Sequence, residues 1–142
     1  MPIPDTAVIA HWEPPVALSG DKAQKKLLLR WNHTLKAFGC KRLVMVDVDG
    51  LEPFMNDAEM HFQYVSSLEE ALALFPDMEP VYVEVEGHPL QDYEHPDKAV
   101  YIFGSDFGDL PQATVGVPTH NALHADITCG VVLYDRSFKQ WP

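Results

Sequence analysis

The last third of the chain carries the pattern that most constrains its fold. An apolar run over Ala99–Phe103 predicts a buried strand, and a turn rich in glycine and aspartate follows it. A second short strand over residues 114–117 ends at Pro118, and a loop then leads into an amphipathic helix over residues 121–138. Short apolar strands that alternate with helices are typical of a largely parallel sheet. We therefore predict an α/β domain with helices on both faces of the sheet.

The preceding residues extend the same alternation, so we predict one domain over residues 1–142. Further strands are predicted at residues 7–10, 43–48, 62–65 and 81–86. The last of these alternates valine with polar residues, which is typical of a half-exposed strand near a sheet edge.

Helices are predicted from Asp21 to about residue 38, where Gly39 suits the helix end, and from the capping box of Ser67 and Glu70 onward. The first helix has an apolar face, made of Ala23, Leu27, Trp31, Thr34, Leu35 and Phe38. Its opposite face carries a basic stripe of Lys22, Lys26, Arg30 and His33. On the last helix, one stripe at helical spacing contains Leu123, Ile127, Val131, Tyr134 and Phe138.

Charge is distributed unevenly along this acidic chain, whose formal net charge is −11. Non-specific affinity for nucleic acid comes mostly from Lys and Arg, so the overall charge argues against broad RNA binding. Between Asp21 and Arg42, however, there are seven basic residues and one acid, whereas residues 43–135 contain eighteen acids and one base. Any surface that faces phosphate is therefore expected on the first helix. A solvated helix face is the alternative interpretation of the same residues.

Other residue types exclude several classes of protein. The two cysteines, Cys40 and Cys129, form no disulfide framework and are expected to be buried thiols. No apolar run approaches a membrane span, so a cytoplasmic protein is expected. His88 and His95 are expected to be exposed in a proline-containing loop, and no histidine pair has acidic partners in a metal-site pattern, so no metal is predicted.

Several short motifs stand in the order found in the SPOUT (SpoU/TrmH-like) RNA methyltransferases, and the chain resembles that family. The segment 37–39, Ala-Phe-Gly, followed by an apolar strand resembles the end of the family's first helix and its next strand. The turn after Phe103, the strand end at Pro118, the loop at Leu123 and the segment 133–135 resemble its later motifs. Together these segments cover about half of the chain.

This resemblance implies a knotted α/β fold with a C-terminal trefoil knot, and a homodimer that completes the active site. It implies S-adenosylmethionine as the cofactor and methylation of tRNA or rRNA, most simply at a ribose 2′-hydroxyl. The positions that match the family's cofactor-binding motifs are Phe103, Gly104, Ser105, Asp106, Gly116, Val117, Pro118 and Leu123. A cofactor at the carboxyl ends of the strands also follows the general rule for open α/β sheets.

The catalytic positions differ from the family pattern. His33 stands where the family has an arginine, and His124 stands where it has an asparagine. If the chain is active, the resemblance implies that His33 and Arg30 position phosphate or base and that His124 orients the acceptor. Imidazole can act as a base near neutral pH. RNA would then lie along Lys22, Lys26 and Arg30.

Two alternatives remain open. A relative that has kept the fold and lost the reaction would use its acidic surface to bind a protein partner. A phosphatase similar to the haloacid dehalogenases would use Asp47 as nucleophile and Asp49 as general acid, because residues 43–50 resemble that superfamily's strand and Asp-x-Asp-Gly turn.

Overall fold

A computed structural model describes residues 5–12, 20–46, 62–104, 114–117, 119 and 123–140. The strands are β1 (Thr6–His11), β2 (Leu43–Val46), β3 (Gln63–Val65), β4 (Glu79–Glu84), β5 (His88–Pro89), β6 (Ala99–Phe103) and β7 (Val115–Gly116). The helices are α1 (Asp21–Ala37), α2 (Leu68–Ala73) and α3 (Ala125–Gln140). A 3-10 turn, Leu90–Asp92, follows β5.

The strands form one sheet in the order β3-β2-β1-β6-β4-β7-β5. Every pair of neighbouring strands is parallel. The predicted α/β class with a largely parallel sheet is therefore confirmed. The strand predicted near a sheet edge, β4, instead lies between β6 and β7, and its valines Val81 and Val83 are buried. The prediction failed because the alternation of apolar and polar residues indicates which side chains are exposed, but it does not indicate which strands pair with β4.

Helices α1 and α3 cover one face of the sheet. Their buried residues belong to the same cluster as the inward side chains of β1 and β6. Arg30 of α1 contacts Asp126 of α3, and one turn further along, a Cβ on Gly130 would lie 3.6 Å from the methyl group of Thr34. Because both contacts advance by four residues, the two helices run side by side in the same direction.

Helix α2 covers the other face, where Ala71 and Phe75 pack against Ile9, Val44 and Ile102. Its predicted capping box is present: the Glu70 backbone N–H donates to Ser67 Oγ at 3.2 Å. The predicted apolar face of α1 is confirmed as well, since Leu27, Trp31 and Leu35 are buried, and Gly39 ends the helix with φ 73°.

Strand β7 lies between two strands that only three residues connect. β4 ends at Glu84 and β5 begins at His88, yet both pair in parallel with β7. Residues 85–87 must therefore cross β7, whereas connections between parallel strands ordinarily need a dozen residues or more. The crossing is tight enough that a Cβ on Gly116 would lie 2.8 Å from the Val85 carbonyl oxygen. A Cβ on Gly87, which has φ 133°, would lie 2.9 Å from the Val115 carbonyl carbon.

The structure extends one expectation and corrects another. The predicted stripe on the last helix is exposed from Ile127 to Phe138, and α3 buries Cys129, Val132 and Leu133 together with Asp126 and Arg136. The segment expected to be a loop, residues 88–97, contributes β5 and the 3-10 turn. Within the described residues, no helix is long and apolar enough to cross a membrane.

Candidate functional site

The predicted cofactor residues that the structure describes lie at one edge of the sheet. Phe103 pairs with Val83 of β4, and Val83 pairs with Val115 of β7, so these strands end at the same level. Gly104 therefore follows β6 where Gly116 and Val117 complete β7. Carboxyl ends of neighbouring parallel strands are the usual place for a ligand in an open α/β sheet. We call this the carboxyl edge.

Phe103 can contribute only backbone to a ligand at this edge. Its side chain is 2% exposed and meets the Trp31 ring edge-on, with 6.1 Å between ring centroids. Its carbonyl oxygen already accepts a hydrogen bond from His11 Nδ1 at 2.9 Å. Gly104, the next residue, is half-buried.

His11 is a residue of this edge that the sequence analysis did not single out. A carbonyl oxygen only accepts, so Nδ1 must carry the proton in the bond to Phe103. In the neutral ring, Nε2 is then the acceptor. His11 is 8% exposed and faces inward at the end of β1. No local sequence signal distinguishes it from an ordinary buried strand residue.

Glu84 brings a carboxyl group to the carboxyl edge. The Val117 backbone N–H donates to the Glu84 carbonyl at 3.1 Å, which fixes β7 against the end of β4. The side chain is half-buried, and this burial raises the pKa of the Glu84 carboxyl above its ordinary value. A carboxyl with a raised pKa in such a position is a candidate proton acceptor or a partner for a cation.

Leu123 and His124 lead into α3. Leu123 is 39% exposed, and His124 is exposed. The His124 carbonyl accepts from the backbone N–H groups of Ile127 and Thr128 and from Thr128 Oγ1. The backbone of His124 is thus held by the first turn of the helix, while its imidazole remains accessible.

Arg30 is connected to the start of α3 by an ion pair. Its Nε donates to Asp126 Oδ2 at 2.7 Å, and the Asp126 side chain is 4% exposed, whereas that of Arg30 is 55% exposed. Asp126 stands two residues after His124. The structure therefore brings two of the three predicted catalytic residues, Arg30 and His124, to one region of the molecule.

His33 follows Arg30 by three residues and therefore lies one helical turn further along the same face of α1, toward the amino edge of the sheet. Helix α1 runs from the carboxyl end of β1 to the amino end of β2, and His33 lies in its last two turns. It lines a pocket with Lys36, Gly39 and Leu43 at the start of β2, which is the opposite edge of the sheet. Lys22 and Lys26 are exposed on α1, as the predicted basic stripe requires.

Five of the residues singled out lie outside the described residues. They are the predicted cofactor residues Ser105, Asp106 and Pro118 and the aspartates of the phosphatase alternative, Asp47 and Asp49.

A buried polar network lies away from the carboxyl edge, and the sequence analysis missed it. His95, expected to be exposed, is 8% exposed: its Nε2 donates to Asp135 Oδ2, and its Nδ1 lies 2.7 Å from the Tyr101 hydroxyl. Arg136, fully buried, donates to the same hydroxyl and to the carbonyls of residues 96 and 97. His95 and Tyr101 are six residues apart, but the other partners are 35 to 40 residues apart in the chain, so only the folded structure pairs them.

Comparison with known proteins gives no match by sequence and clear matches by structure. Neither a family model nor a curated protein sequence matches the chain. A candidate RNA methyltransferase from Bacillus anthracis superimposes with a TM-score of 0.64 at 17% identity, over 95% of this chain and 94% of that one.

Two other solved structures are as similar. An AdoMet-bound rRNA methyltransferase from Sinorhizobium meliloti matches with a TM-score of 0.65 at 14% identity, over 98% of this chain but only 58% of its own length. A protein described for 2′-OH methylation of C/U34 on tRNA matches with a TM-score of 0.65 at 14% identity, over 96% of this chain and 97% of that one.

Similarity at this level of identity shows the fold. All three structures cover nearly the whole of the present chain, and the seven-stranded parallel sheet agrees with them. The C-terminal trefoil knot is a feature that this fold implies. The chain therefore has the fold of the SPOUT (SpoU/TrmH) methyltransferases.

Proposed function

We propose that the chain is an RNA methyltransferase that uses S-adenosylmethionine and acts on a ribose 2′-hydroxyl of tRNA or rRNA. The observation that carries this proposal is the carboxyl edge, where Gly104, Gly116 and Val117 meet in a SPOUT fold. Two solved methyltransferases of nearly the same length as this chain support it, one of them a tRNA 2′-OH methylation protein.

The residues at this edge suit the proposed cofactor. The adenosine would lie against the backbone of Gly104 and Val117 and the exposed Leu123 side chain. The half-buried Glu84 carboxyl would attract the positive charge of the methionine part. When bound, S-adenosylmethionine supplies a methyl group on a sulfonium, so the protein mainly has to align donor and acceptor and accept one proton.

Gly116 has a separate, structural reason to be glycine. The backbone of residues 85–87 occupies the space that a side chain would need. A role of Gly116 in binding the cofactor remains a prediction beside that observation.

The acceptor would be oriented by His124, whose imidazole is accessible beside the first turn of α3. Arg30, steadied by Asp126, would hold a phosphate next to it, since its side chain remains 55% exposed. Lys22 and Lys26 extend the basic face along α1. Together these residues form a positively charged approach to an otherwise acidic protein.

We also propose that the chain works as a homodimer that pairs through α3. The exposed stripe of this helix consists of Ile127, Val131, Tyr134 and Phe138, which are 38% to 70% exposed. Contiguous apolar side chains of this size on a surface indicate a protein interface.

The proposal is tested by titrating the purified protein with S-adenosylmethionine in a calorimeter, with Leu123→Asp as the edge variant and Gln91→Asp as the matched control. We expect saturable binding near one site per chain or per dimer, at least tenfold weaker in the edge variant and unchanged in the control. Absence of binding by the parent protein at millimolar ligand would refute the assignment. A tRNA pool and ribosomal RNA with labelled cofactor then test the acceptor, and ribose methylation is read by nuclease digestion and mass spectrometry.

A second candidate function is that of a SPOUT-fold protein that binds a protein partner without catalysis. The exposed apolar side chains of α3, among them Tyr134 and Phe138, favour it because such a surface suits a protein partner. The two candidates differ in RNA affinity and its salt dependence. An RNA enzyme loses affinity as salt rises because each phosphate contact releases counterions, whereas a protein-binding module has no RNA affinity to lose.

A further inference from the structure

An open pocket of about 710 Å³ lies beside the second half of α1, at the amino edge of the sheet. Its lining residues are Leu29, Asn32, His33, Leu35, Lys36, Gly39, Cys40, Lys41 and Leu43. The pocket is therefore separate from the carboxyl edge. Its volume is within the range of pockets that bind small molecules in proteins, about 300–1,000 Å³.

The pocket has an apolar floor and a cationic rim. Leu35, Cys40 and Leu43 are 3%, 4% and 3% exposed and form the floor. Lys36 and Lys41 stand exposed at the rim. A flat apolar group carrying an anion fits such a site, because the floor removes apolar surface from water while the ammonium groups meet negative charge.

The rim lysines, like Lys22, Lys26 and Lys98, form no ion pair with any residue that the structure describes. The chain has 21 acids against 10 bases. Other cations are engaged: Arg30 with Asp126, and Arg42 over the Phe75 ring on the opposite face of the sheet at 4.3 Å. An external anion is a natural partner for exposed cations that the described part of the chain does not pair.

The pocket also stands at the end of the basic face of α1. Basic side chains follow one another along the helix at spacings of three or four residues: Lys22, Lys26, Arg30, His33 and Lys36. At a rise of 1.5 Å per residue, the line from the first to the last is about 20 Å long. It leads from the carboxyl end of β1 to the pocket.

We propose that this pocket holds one unstacked nucleotide of the RNA substrate, with its base on the apolar floor and its phosphates at Lys36 and Lys41. The inference rests on the proposed function for the identity of the polymer. It adds that the substrate must extend about 20 Å from the start of α1 and must offer an unpaired nucleotide there. A loop or bulge of a folded RNA meets both conditions, since its bases can be splayed out.

The test uses three variants of the full chain and two RNA probes. Lys36→Gln/Lys41→Gln removes the rim charges, Leu29→Trp fills the pocket without a charge change, and Lys98→Gln is the matched control on an exposed lysine elsewhere. Bulk tRNA is the binding probe in fluorescence anisotropy at several salt concentrations. An oligouridylate octamer containing 4-thiouridine is the photo-crosslinking probe.

We expect the double variant to weaken tRNA binding about tenfold and to lower the slope of log affinity against log salt by about 1 to 2. Leu29→Trp should weaken binding with the slope unchanged, and Lys98→Gln should bind as the parent does. The octamer should crosslink to residues 29–43. Unchanged tRNA affinity in both pocket variants, or crosslinks confined to other residues, would overturn the inference.

Binding of S-adenosylmethionine to the same variants separates this inference from the proposed function. Normal cofactor binding with unchanged tRNA affinity in the pocket variants would remove the pocket assignment and leave the methyltransferase proposal standing. A parent protein that binds neither cofactor nor tRNA refutes both. If the variants change the oligomeric state while RNA affinity is unaltered, a second copy of the chain occupies the pocket and the nucleotide assignment is wrong.

Discussion

Helices α1 and α3 lie side by side on the same face of the sheet, but they expose opposite kinds of residue. α1 buries Leu28 and Trp31 and directs Lys22 and Lys26 outward. α3 buries Asp126 and Arg136 beside Val132 and Leu133, and exposes a stripe of large apolar side chains. The outward face of α1 therefore suits a polyanion, and the outward face of α3 suits another apolar protein surface.

The difference shows that a helix can contribute charge to the interior when each charge has specific partners. Arg136 has no exposed surface, and its guanidinium donates to the Tyr101 hydroxyl and to two backbone carbonyls. Because those acceptors lose their water when α3 docks, the arginine satisfies groups that would otherwise be buried without a partner. The charges of α3 thus fix its position on the sheet, whereas those of α1 remain available to a ligand.

The largest expected effect comes from removing the inward charge of α3. Arg136→Met leaves the Tyr101 hydroxyl and the carbonyls of residues 96 and 97 without their donor, so we expect unfolding to become easier by about 3 kcal/mol or more. Lys26→Met on the outward face of α1 should change stability by less than about 0.5 kcal/mol. Urea unfolding followed by circular dichroism measures both. Equal losses of unfolding free energy in the two variants would show that the charges of α3 are no more important for stability than those of α1.

The second effect concerns the outward face of α3. Tyr134 and Phe138 are 62% and 70% exposed and stack on each other, with 6.3 Å between centroids. Tyr134→Glu/Phe138→Glu should weaken the proposed dimer at least a hundredfold, or about 2.8 kcal/mol, because charges would be buried in an apolar contact. Sedimentation velocity measures the dissociation constant, with Gln140→Glu as the control on the same helix. A parent protein that is already monomeric would contradict the proposed dimer.

The third effect tests the contact between the two helices. Asp126→Asn retains a carbonyl oxygen but loses the charge that Arg30 meets, so a loss of about 1 kcal/mol is expected. A double-mutant cycle with Arg30→Gln, read by urea unfolding, separates the interaction from the individual substitutions. Simple additivity of the two substitutions would mean that the pair does not couple α1 to α3.

The smallest effect is on pH dependence. Burial lowers the pKa of His95 from its ordinary value of 6.5, although the hydrogen bond to Asp135 opposes that shift. The unfolded chain then binds more protons than the folded one below pH 6.5, so this residue's contribution makes stability fall as pH decreases through that value. His95→Gln should reduce the difference in unfolding free energy between pH 7.5 and 5.5. An unaltered difference in His95→Gln would contradict the assignment.

Local sequence signals predicted those parts of the fold that depend on near neighbours. The strand Ala99–Phe103 was predicted with both its ends, and Gly39 was identified at the end of α1, because strand composition and helix ends are set by adjacent residues. β5 was missed because its two residues become a strand only by pairing with β7. Which face of α3 packs on the sheet could not be predicted, because an apolar stripe in the sequence does not show whether the sheet or another surface covers that stripe.

The candidate site likewise contains residues that the sequence could predict and residues that it could not. Gly104, Gly116 and Val117 were predicted together from the resemblance to the SPOUT family, and the rule that parallel strands end at a common edge agrees with it. Asp126 could not be assigned to Arg30, because the two are 96 residues apart and either could equally have faced water. His11 is similar: its bond to Phe103 spans 92 residues, and only the adjacency of β1 and β6 creates it.

The crossing of residues 85–87 over β7 also sets an order of assembly. In the part of the chain that the structure describes, β5 pairs with β7 alone, so the sheet cannot extend beyond β4 until residues 115–116 take their place. Those residues must enter between two strands that are joined by three residues, and a side chain on Gly116 would obstruct that entry. Because this contact joins distant parts of the chain, it should form late and slowly. During synthesis on the ribosome, the carboxyl edge would therefore be completed only after residues 115–117 have emerged.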